Sequence, residues 1–304
     1  MNTHNALYYI TAISQKLNPY YDDLHLCQQY AWWLLQKLCT TTKTTLITQP
    51  SVVLNEKQEE TLTEWITDLT IHKKPIQYIL GSVPFNDIEI LVEPPILIPR
   101  PETEEWCYNL IKQLKRLKNR HLTLLDLATG SGCIALALAN HLPEACIIAS
   151  DIAENALALA AKNASHNKIS NISFIKSDLF DELSSLQQYD IIVSNPPYIA
   201  HSERASMDES VLQWEDEDAL FASDEGLSLI KTIITQAPFY IKPNSEMRNE
   251  RIPQLIIEIG WLQGHTVKQL MLDAGYNDVY IHKDLEKKDR IATGRVDNVA
   301  NTHY

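Results

Sequence analysis

The chain has 304 residues, a formal net charge of −13 and 45% hydrophobic residues. Its length favours two domains, and its hydrophobic content is that of a globular protein with a buried core. The negative charge argues against a broad binding surface for DNA or RNA, which requires a basic face.

The first part of the chain is predicted to be helical. Three segments carry apolar residues at three- and four-residue spacing, namely 6–17, 22–39 and 55–70. Pro19 and Pro50 are expected to separate these helices, and Asn55 is expected to cap the third one. We therefore predict an N-terminal helical domain over residues 1–75.

A proline-rich segment follows the helical region. Its polar and apolar residues alternate around Asn86–Val92, which predicts a β-hairpin and a structured linker over residues 76–99. A helix is expected to begin near Thr103 and to end at about Leu117. The third segment, a domain over residues 100–304, begins here.

Apolar strands and helices alternate from Leu122 onward. The predicted strands are 122–129, 145–152, 172–178, 189–198, 254–260, 278–283 and 289–295. The predicted helices are 132–142, 154–167, 226–237 and 265–275. This alternation predicts an α/β fold with a parallel sheet covered on both faces, which binds ligands beyond the carboxyl ends of its strands.

A glycine turn lies where the first of these strands meets its helix. The chain has eight glycines, and Gly130 and Gly132 are two of them, in the stretch "TGSG". Glycine permits a positive φ and lets a ligand approach the backbone. With Asp151 in place after the next strand, the pattern satisfies a dinucleotide-binding fingerprint, so an NAD-dependent enzyme is one candidate.

A site for S-adenosylmethionine (SAM) is the other candidate for these strand ends. Asp151 would bind the ribose hydroxyls, and Asp126 would lie near the amino-acid end of the cofactor. Asp178 and Leu179 would edge and cover the adenine ring. Asp178 has an alternative role as the cap of a short helix.

The stretch "NPPY" ends another strand. Pro197 restricts the residue before it and donates no hydrogen bond, so the carbonyl of Pro196 can face a cavity. The side-chain oxygen of Asn195 would lie beside that carbonyl, and two neighbouring acceptors complement one –NH₂ group. Tyr198 would offer a face for a planar amide or base. A methyl donor therefore fits this site better than NAD, because no His, Lys or Tyr is placed in the sequence as a proton relay for hydride transfer.

Several segments resemble the PrmC/HemK-type protein-glutamine N5-methyltransferases. They are "PIQYILG" (75–81), "LIPRPETE" (97–104), "DLATGSGCIALALA" (126–139), "SDIAENALALAAKNA" (150–164), "IIVSNPPYI" (191–199), "EIGWLQG" (258–264) and "IHKDLEKKDRIATGR" (281–295). "NPPY" alone is shared with adenine-N6 and guanine-N2 methyltransferases, whereas "RPETE" joined to "DLATGSG" is more specific. The helical start resembles the family's N-terminal domain, which helps to hold the substrate.

The resemblance implies a Rossmann-like class I methyltransferase domain with a seven-stranded, mostly parallel sheet and one antiparallel strand. It implies SAM as cofactor, S-adenosylhomocysteine as product, and methylation of the GGQ glutamine in class I peptide-chain release factors. The cofactor would be lined by Ala128, Thr129, Gly130, Ser131, Gly132, Asp151, Leu179 and Asn195. Asn195, Pro196, Pro197 and Tyr198 would bind the glutamine, with Asn195, Pro196 and Tyr198 as the catalytic residues and no metal.

The chain departs from the family pattern at three places. Ala128 replaces a usual glycine, and alanine costs on the order of 1 kcal/mol if the backbone needs a positive φ there. Leu179 is smaller than the family's usual cover for adenine. Glu215–Asp216 stands where the family has Glu-Pro.

The segment after "NPPY" carries nine acidic residues and one basic residue, Arg204, between Glu203 and Glu225. We call residues 203–225 the acidic excursion. Such charge would attract a basic protein loop and repel a nucleic-acid backbone, although a merely solvated loop has the same composition. The alternatives are a nucleic-acid amino methyltransferase, which would need a basic recognition region, and a non-enzymatic scaffold.

The remaining expectations concern environment and assembly. No apolar run approaches the roughly 18–20 residues of a membrane span, and the start of the chain lacks the features of a signal peptide. The five cysteines form no CxxC pair, so free thiols are expected. We expect a cytoplasmic monomer that does not bind nucleic acid or membranes.

Overall fold

The computed structural model describes residues 4–117, 121–242, 247 and 249–296. The chain forms two compact units. The first comprises Met1–Ser82 and Asp208–Trp214, and the second comprises Val83–Met207 and Glu215–Tyr304. The domain boundaries that the sequence predicts, at residues 75 and 99, remain predictions.

The first unit is helical. Its helices are α1 (Ala6–Tyr21), α2 (Leu24–Leu38), α3 (Lys43–Thr48), α4 (Glu56–Thr70) and α5 (Ile76–Leu80), and two short strands, β1 (His4–Asn5) and β2 (Ser51–Val52), pair beside them. Asn55 caps α4 in a reciprocal capping box with Gln58, as the sequence predicts. Pro19 does not itself end α1, which continues to Tyr21, two residues further on.

A segment from much later in the chain completes this unit. The short helix Glu209–Trp214 contributes Trp214, whose indole N–H donates to the carbonyl of His72 at 2.7 Å. The ammonium of Lys74 lies 5.1 Å from the centre of the same ring, close enough for a cation–π contact. Part of the acidic excursion therefore packs as a component of the helical unit.

The second unit begins with the predicted hairpin. Strands β3 (Ser82–Phe85) and β4 (Ile88–Leu91) pair with each other across Asn86 and Asp87. Both turn residues have positive φ, 43° and 66°, a conformation that asparagine and aspartate tolerate in two-residue hairpin turns.

A seven-stranded sheet is the centre of the second unit. Its strands are β5 (Thr123–Leu127), β6 (Cys146–Asp151), β7 (Ile172–Lys176), β8 (Ile191–Ser194), β11 (Leu255–Glu258), β12 (Tyr276–Lys283) and β13 (Asp289–Val296), in the order β12-β13-β11-β8-β5-β6-β7. Only β13 runs against the others in this sheet. The predicted sheet, with one antiparallel strand, is confirmed.

The helices of this unit are α6 (Pro101–Leu114), α7 (Cys133–His141), α8 (Glu154–His166), α9 (Ser228–Tyr240) and α10 (Gly264–Asp273). Every residue of β8 and β11 is buried, as expected for central parallel strands covered on both faces. Two short strands, β9 (Ile199–Ala200) and β10 (Phe221–Ala222), pair in parallel. Their pairing brings together the two ends of the segment that contains most of the acidic excursion. No helix in the described ranges is long and apolar enough to span a bilayer.

Candidate active site

The predicted site residues lie at one edge of the sheet. Strands β5, β6, β7 and β8 are parallel, so the residues that follow their carboxyl ends meet there. Asp126 and the glycine turn end β5, Asp151 ends β6, Asp178 and Leu179 follow β7, and Asn195 follows β8. The topology thus brings together the residues that the sequence singles out.

The glycine turn is held from two sides. The N–H of Thr129 donates to the carbonyl of Ser150 at 3.0 Å, and the N–H of Gly130 donates to a carboxylate oxygen of Asp151 at 2.8 Å. Gly132 has φ 82°, and a Cβ there would lie 2.9 Å from the Cβ of Ala160. Glycine is therefore required at Gly132 both by the backbone conformation and by the close approach of α8.

Ala128 has a positive φ, which is the strained one of the two possibilities considered in the sequence analysis. Its φ is 55°, in the left-handed region, as at Gly130. An L-residue with a Cβ is strained there, so alanine carries a cost at the position where the family has glycine. Leu179 has the same sign of φ, 48°, and packs half-buried against the core of the second unit.

Asp151 can accept more hydrogen bonds than it receives from the glycine turn. One carboxylate oxygen accepts from Gly130 and the other from the N–H of Ala153 at 2.9 Å, and each oxygen can accept a further hydrogen bond. Burial raises the pKa of the Asp151 carboxyl, while these backbone N–H groups oppose the rise. A ligand diol placed beside the turn would find acceptors here.

Asp126 is fully buried beneath the turn. Its Oδ2 accepts from the Thr129 hydroxyl at 2.6 Å and from the N–H of Ala135 at 3.2 Å, whereas its Oδ1 has no hydrogen-bond partner among the described residues. Burial raises its pKa to about 7, and the bonds from Thr129 and Ala135 act in the opposite direction. An unpartnered buried oxygen fits a positively charged ligand group.

Asp178 does not cap a helix in this structure. Its side chain is exposed, and its backbone N–H donates to the Glu182 carboxylate at 2.9 Å within a series of turns. The residue stands at the carboxyl end of β7 with its carboxylate open to solvent, next to Leu179.

The "NPPY" stretch leaves β8 directly. Pro196 and Pro197 are buried, and Asn195 and Tyr198 are half-buried. The amide nitrogen of Asn195 donates to the Thr103 hydroxyl at 3.3 Å. Among the described residues nothing donates to the side-chain oxygen of Asn195 or to the carbonyl of Pro196, so both acceptors are available to a ligand.

Tyr198 is fixed at both of its ends. Its hydroxyl donates to Glu258 Oε1 at 3.3 Å, and its carbonyl accepts from the side-chain amide of Gln263 at 2.9 Å. Gly226, with φ 78°, lies against the same carbonyl, and a Cβ there would be 2.0 Å from the oxygen. Burial and the neighbouring Glu258 carboxylate raise the pKa of Tyr198 well above its usual range.

Sequence reasoning missed the buried carboxylate of Glu258. Its Oε2 accepts from the Thr103 hydroxyl at 2.7 Å and from the indole N–H of Trp106 at 2.9 Å. Burial raises its pKa, and its hydrogen-bond donors and the nearby Arg290 counteract that rise. An acidic residue within the apolar stretch "LIIEIG" (255–260), at the end of a central strand, is the signal that could have identified it.

A cavity of about 790 Å³ lies elsewhere, between α6 and the strands β12 and β13. Trp106 and Arg290 form part of its wall, but Gly130, Asp151 and Asn195 do not. The cavity therefore backs onto the Glu258 network and is separate from the strand ends that carry the predicted chemistry.

The acidic excursion is less open than its composition suggests. Glu215 is buried and its carboxylate accepts from the Arg100 guanidinium at 2.5 Å, while Glu217 pairs with Arg204 at 2.6 Å. Glu217 is exposed, as is its neighbour Asp218. Only part of the excursion is thus a solvated acidic surface.

The sheet order, the glycine turn after β5 and the acidic residue after β6 define a class I methyltransferase domain. Residues 108–213 match the family model described as Methyltransferase small domain, and residues 27–81 match the PrmC N-terminal domain.

Relatives of similar sequence span most of the chain. It is 36% identical over 272 residues to the release factor glutamine methyltransferase of Lactococcus lactis, covering 88% of this chain and 89% of the relative. The identity is 34% over 286 residues with the enzyme of that name from Flavobacterium psychrophilum, covering 93% and 96%. It is 39% over 225 residues with that of Escherichia coli, covering 73% and 76%. The chain belongs to the release factor glutamine methyltransferase family, which confirms the resemblance.

Proposed function

We propose that this chain transfers a methyl group from SAM to the side-chain amide nitrogen, N5, of the GGQ glutamine in class I peptide-chain release factors. The observation that carries the proposal is the pair of available acceptors, Asn195 Oδ1 and the Pro196 carbonyl, at the end of β8. They are adjacent along the chain and lie at the same sheet edge as the glycine turn. Two such acceptors match the two N–H bonds of a primary amide.

The residues at the neighbouring strand ends fit SAM. Asp151 would bind the ribose hydroxyls, and the backbone of Ala128–Gly132 would line the cofactor. Asp126, whose Oδ1 lacks a partner, would face the positively charged amino-acid end. Leu179, with Asp178 at its side, would cover the adenine ring. When bound, SAM supplies an electrophilic methyl group.

The chain's own contribution to the reaction is positioning and polarisation. Asn195 Oδ1 and the Pro196 carbonyl would accept both amide N–H bonds, which orients the nitrogen and increases its electron density. Tyr198 would pack against the planar amide, and Pro197 would keep the loop rigid. As the nitrogen gains the methyl group and S-adenosylhomocysteine leaves, the nitrogen would lose one proton to water along one of these hydrogen bonds, so that preorganised acceptors replace a strong base.

The protein substrate would use surfaces beyond the amide site. We propose that the helical domain, residues 1–75, and the exposed acidic residues of the acidic excursion bind the release factor, while residues 76–99 serve as the linker to the catalytic domain, residues 100–304. The exposed carboxylates would attract a basic loop and repel nucleic acid. We propose that the chain acts as a monomer.

Methyl transfer from labelled SAM tests the proposal directly. The chain is incubated with a release factor, with the same factor carrying Gln→Ala in its GGQ motif, and with DNA or RNA. We expect label only in the unmodified factor. Label confined to nucleic acid would establish the alternative of an adenine or guanine amino methyltransferase, and absence of both transfer and SAM binding would leave a scaffold.

Asn195→Ala provides the matched control for the mechanism. It removes one of the two acceptors and leaves the glycine turn and Asp151 in place. We expect methyl transfer to be abolished and SAM binding to be largely retained. Turnover near that of the unmodified protein would refute the role of the two acceptors.

A further inference from the structure

The side chain of Asn195 can occupy its site in two orientations of nearly equal shape. Its oxygen accepts hydrogen bonds and its nitrogen donates them, so exchanging the two reverses the chemistry that faces a ligand. Only the orientation that presents Oδ1 can accept from a substrate –NH₂ group. Some contact inside the protein must therefore select this orientation.

A directed series of hydrogen bonds reaches Asn195 from the protein interior. The amide nitrogen of Asn195 donates to the Thr103 hydroxyl at 3.3 Å, and that hydroxyl donates to Glu258 Oε2 at 2.7 Å. The exposed fractions of Thr103 and Glu258 are both 1%, so water does not compete for these bonds.

We propose that Glu258, acting through Thr103, is a positioning residue that fixes the amide orientation of Asn195 and thereby makes the site an acceptor for a substrate –NH₂ group. This inference rests on the proposed function, since it concerns the same acceptor pair. Thr103 acts on the site through Asn195, and Glu258 acts through Asn195 and Tyr198.

The direction of the series follows from the donors around the carboxylate. Trp106 has an indole N–H, which can only donate, and it occupies Oε2 together with Thr103. The single proton of the Thr103 hydroxyl is thus committed to Glu258, which leaves its lone pairs to accept. If Asn195 were reversed, its oxygen would face a hydroxyl oxygen with no proton to give, and the hydrogen bond between Asn195 and Thr103 would be lost.

The second oxygen of Glu258 holds the other end of the "NPPY" stretch. Oε1 accepts from the hydroxyl of Tyr198, and the guanidinium of Arg290 lies close to both of these groups. One buried carboxylate therefore sets the orientation of Asn195 and the position of the Tyr198 ring. This gives a structural reason for an acidic residue at the end of the all-buried strand β11.

Thr103→Val tests the proposal, because it replaces the hydroxyl by a methyl group of the same shape. We expect kcat for release factor methylation to fall by about tenfold to a hundredfold, since misorientation of a positioned group costs up to about that much. The dissociation constant of SAM should be unchanged. Thr103→Ser keeps the hydroxyl and should restore most of kcat. Thr293→Val makes the same change at another buried threonine, whose hydroxyl contacts His282, and should leave kcat unchanged.

A readout that is independent of methyl transfer separates this inference from the proposed function. The side-chain ¹⁵N–H₂ signals of Asn195, assigned by their loss in Asn195→Ser, should match in the unmodified protein and Thr103→Ser and should shift in Thr103→Val. Failure of the unmodified protein to methylate a release factor would contradict the proposed function. It would not affect the comparison of the Asn195 signals. Unchanged Asn195 signals and kcat in Thr103→Val, or equal losses in Thr103→Val and Thr103→Ser, would overturn the inference. If Thr103→Val does not fold, Thr103→Ala removes the hydroxyl with less demand on space and is judged by the same outcomes.

Discussion

Ala128 holds the glycine turn in a left-handed conformation that costs an alanine about 1–2 kcal/mol. Replacing it with glycine removes this strain but increases the entropy of the unfolded chain by about 0.5–1 kcal/mol. We therefore expect Ala128→Gly to raise the free energy of unfolding by about 0–1.5 kcal/mol, measured in urea. SAM binding should tighten or stay the same.

The same substitution at an ordinary helical position has the opposite effect. Ala158 is exposed within α8, so Ala158→Gly should lower the free energy of unfolding by about 1 kcal/mol. If Ala128→Gly were destabilised to a similar extent, the left-handed conformation at residue 128 would be wrong.

If Asp126 faces the positively charged end of SAM, as proposed above, its raised pKa predicts that cofactor binding depends on pH. Because burial raises this pKa to about 7, the carboxyl is increasingly protonated below neutrality and cannot stabilise a positively charged group. We expect the SAM dissociation constant to fall as the pH rises from about 6 to 8, by at most about tenfold per pH unit below the pKa. Isothermal calorimetry over this range measures the change.

Asp126→Asn is the control for this dependence. The asparagine oxygen can still accept from Thr129 and Ala135, while the group no longer titrates. The variant should bind SAM more weakly and with a flatter pH profile, since ionisation of SAM itself is common to both proteins. A profile as steep as that of the unmodified protein would assign the pH dependence to another group, such as the nearby Asp151.

At the scale of elements, Asn163 in α8 and Asn167, the C-cap of α8, take the place of a second strand partner for β4. Asn163 exchanges two hydrogen bonds with the backbone of Leu91, and Asn167, one helical turn later, does so with Glu89. Asn163 is fully buried and donates further to the carbonyl of Ser131 at 3.0 Å. It thus joins the hairpin to the glycine turn.

We expect Asn163→Ala to lower the free energy of unfolding by about 2–4 kcal/mol, because both backbone groups of half-buried Leu91 and the carbonyl of buried Ser131 lose their partner. It should also weaken SAM binding through the glycine turn. Asn167→Ala removes a similar pair of bonds at a more exposed place, so it should cost about 1 kcal/mol or less and leave SAM binding unchanged. Urea denaturation and calorimetry on the two variants measure both effects, and equal losses would contradict the special role of Asn163.

The sequence predicted the long elements because their signals are local. The alternation of apolar strands with helices from Leu122 onward identified all seven strands of the sheet, and the spacing of acidic and glycine residues located the strand ends. The short pair β9 and β10 was not predicted, since two-residue strands carry no periodicity and depend on pairing across the acidic excursion. Glu258 was missed for the same reason, because its partners Thr103 and Tyr198 are distant in the sequence.

At the scale of the whole molecule, the acidic excursion is divided between the two units. Asp208–Trp214 belongs to the helical unit, whereas Glu215 onward returns to the methyltransferase unit. Composition alone could not predict this division, because the packing of Trp214 against His72 is a long-range contact. The acidic residues therefore have two environments, with Glu215 paired inside the protein and Asp218 exposed to solvent.

The net charge of −13 predicts that binding of a release factor, as proposed above, is sensitive to salt. If exposed carboxylates attract a basic loop, KM for the release factor should rise severalfold between about 50 and 200 mM salt, as the Debye length shortens, while kcat changes little.

Asp218→Asn removes one exposed charge of the excursion and should raise KM about twofold at low salt and reduce its salt dependence. Glu144→Gln makes an equal change of charge in the exposed loop before β6, at the opposite edge of the sheet, and should leave KM unchanged. Steady-state methylation at several salt concentrations measures these differences, and a KM that is indifferent to salt and to Asp218→Asn would mean that shape rather than charge selects the partner.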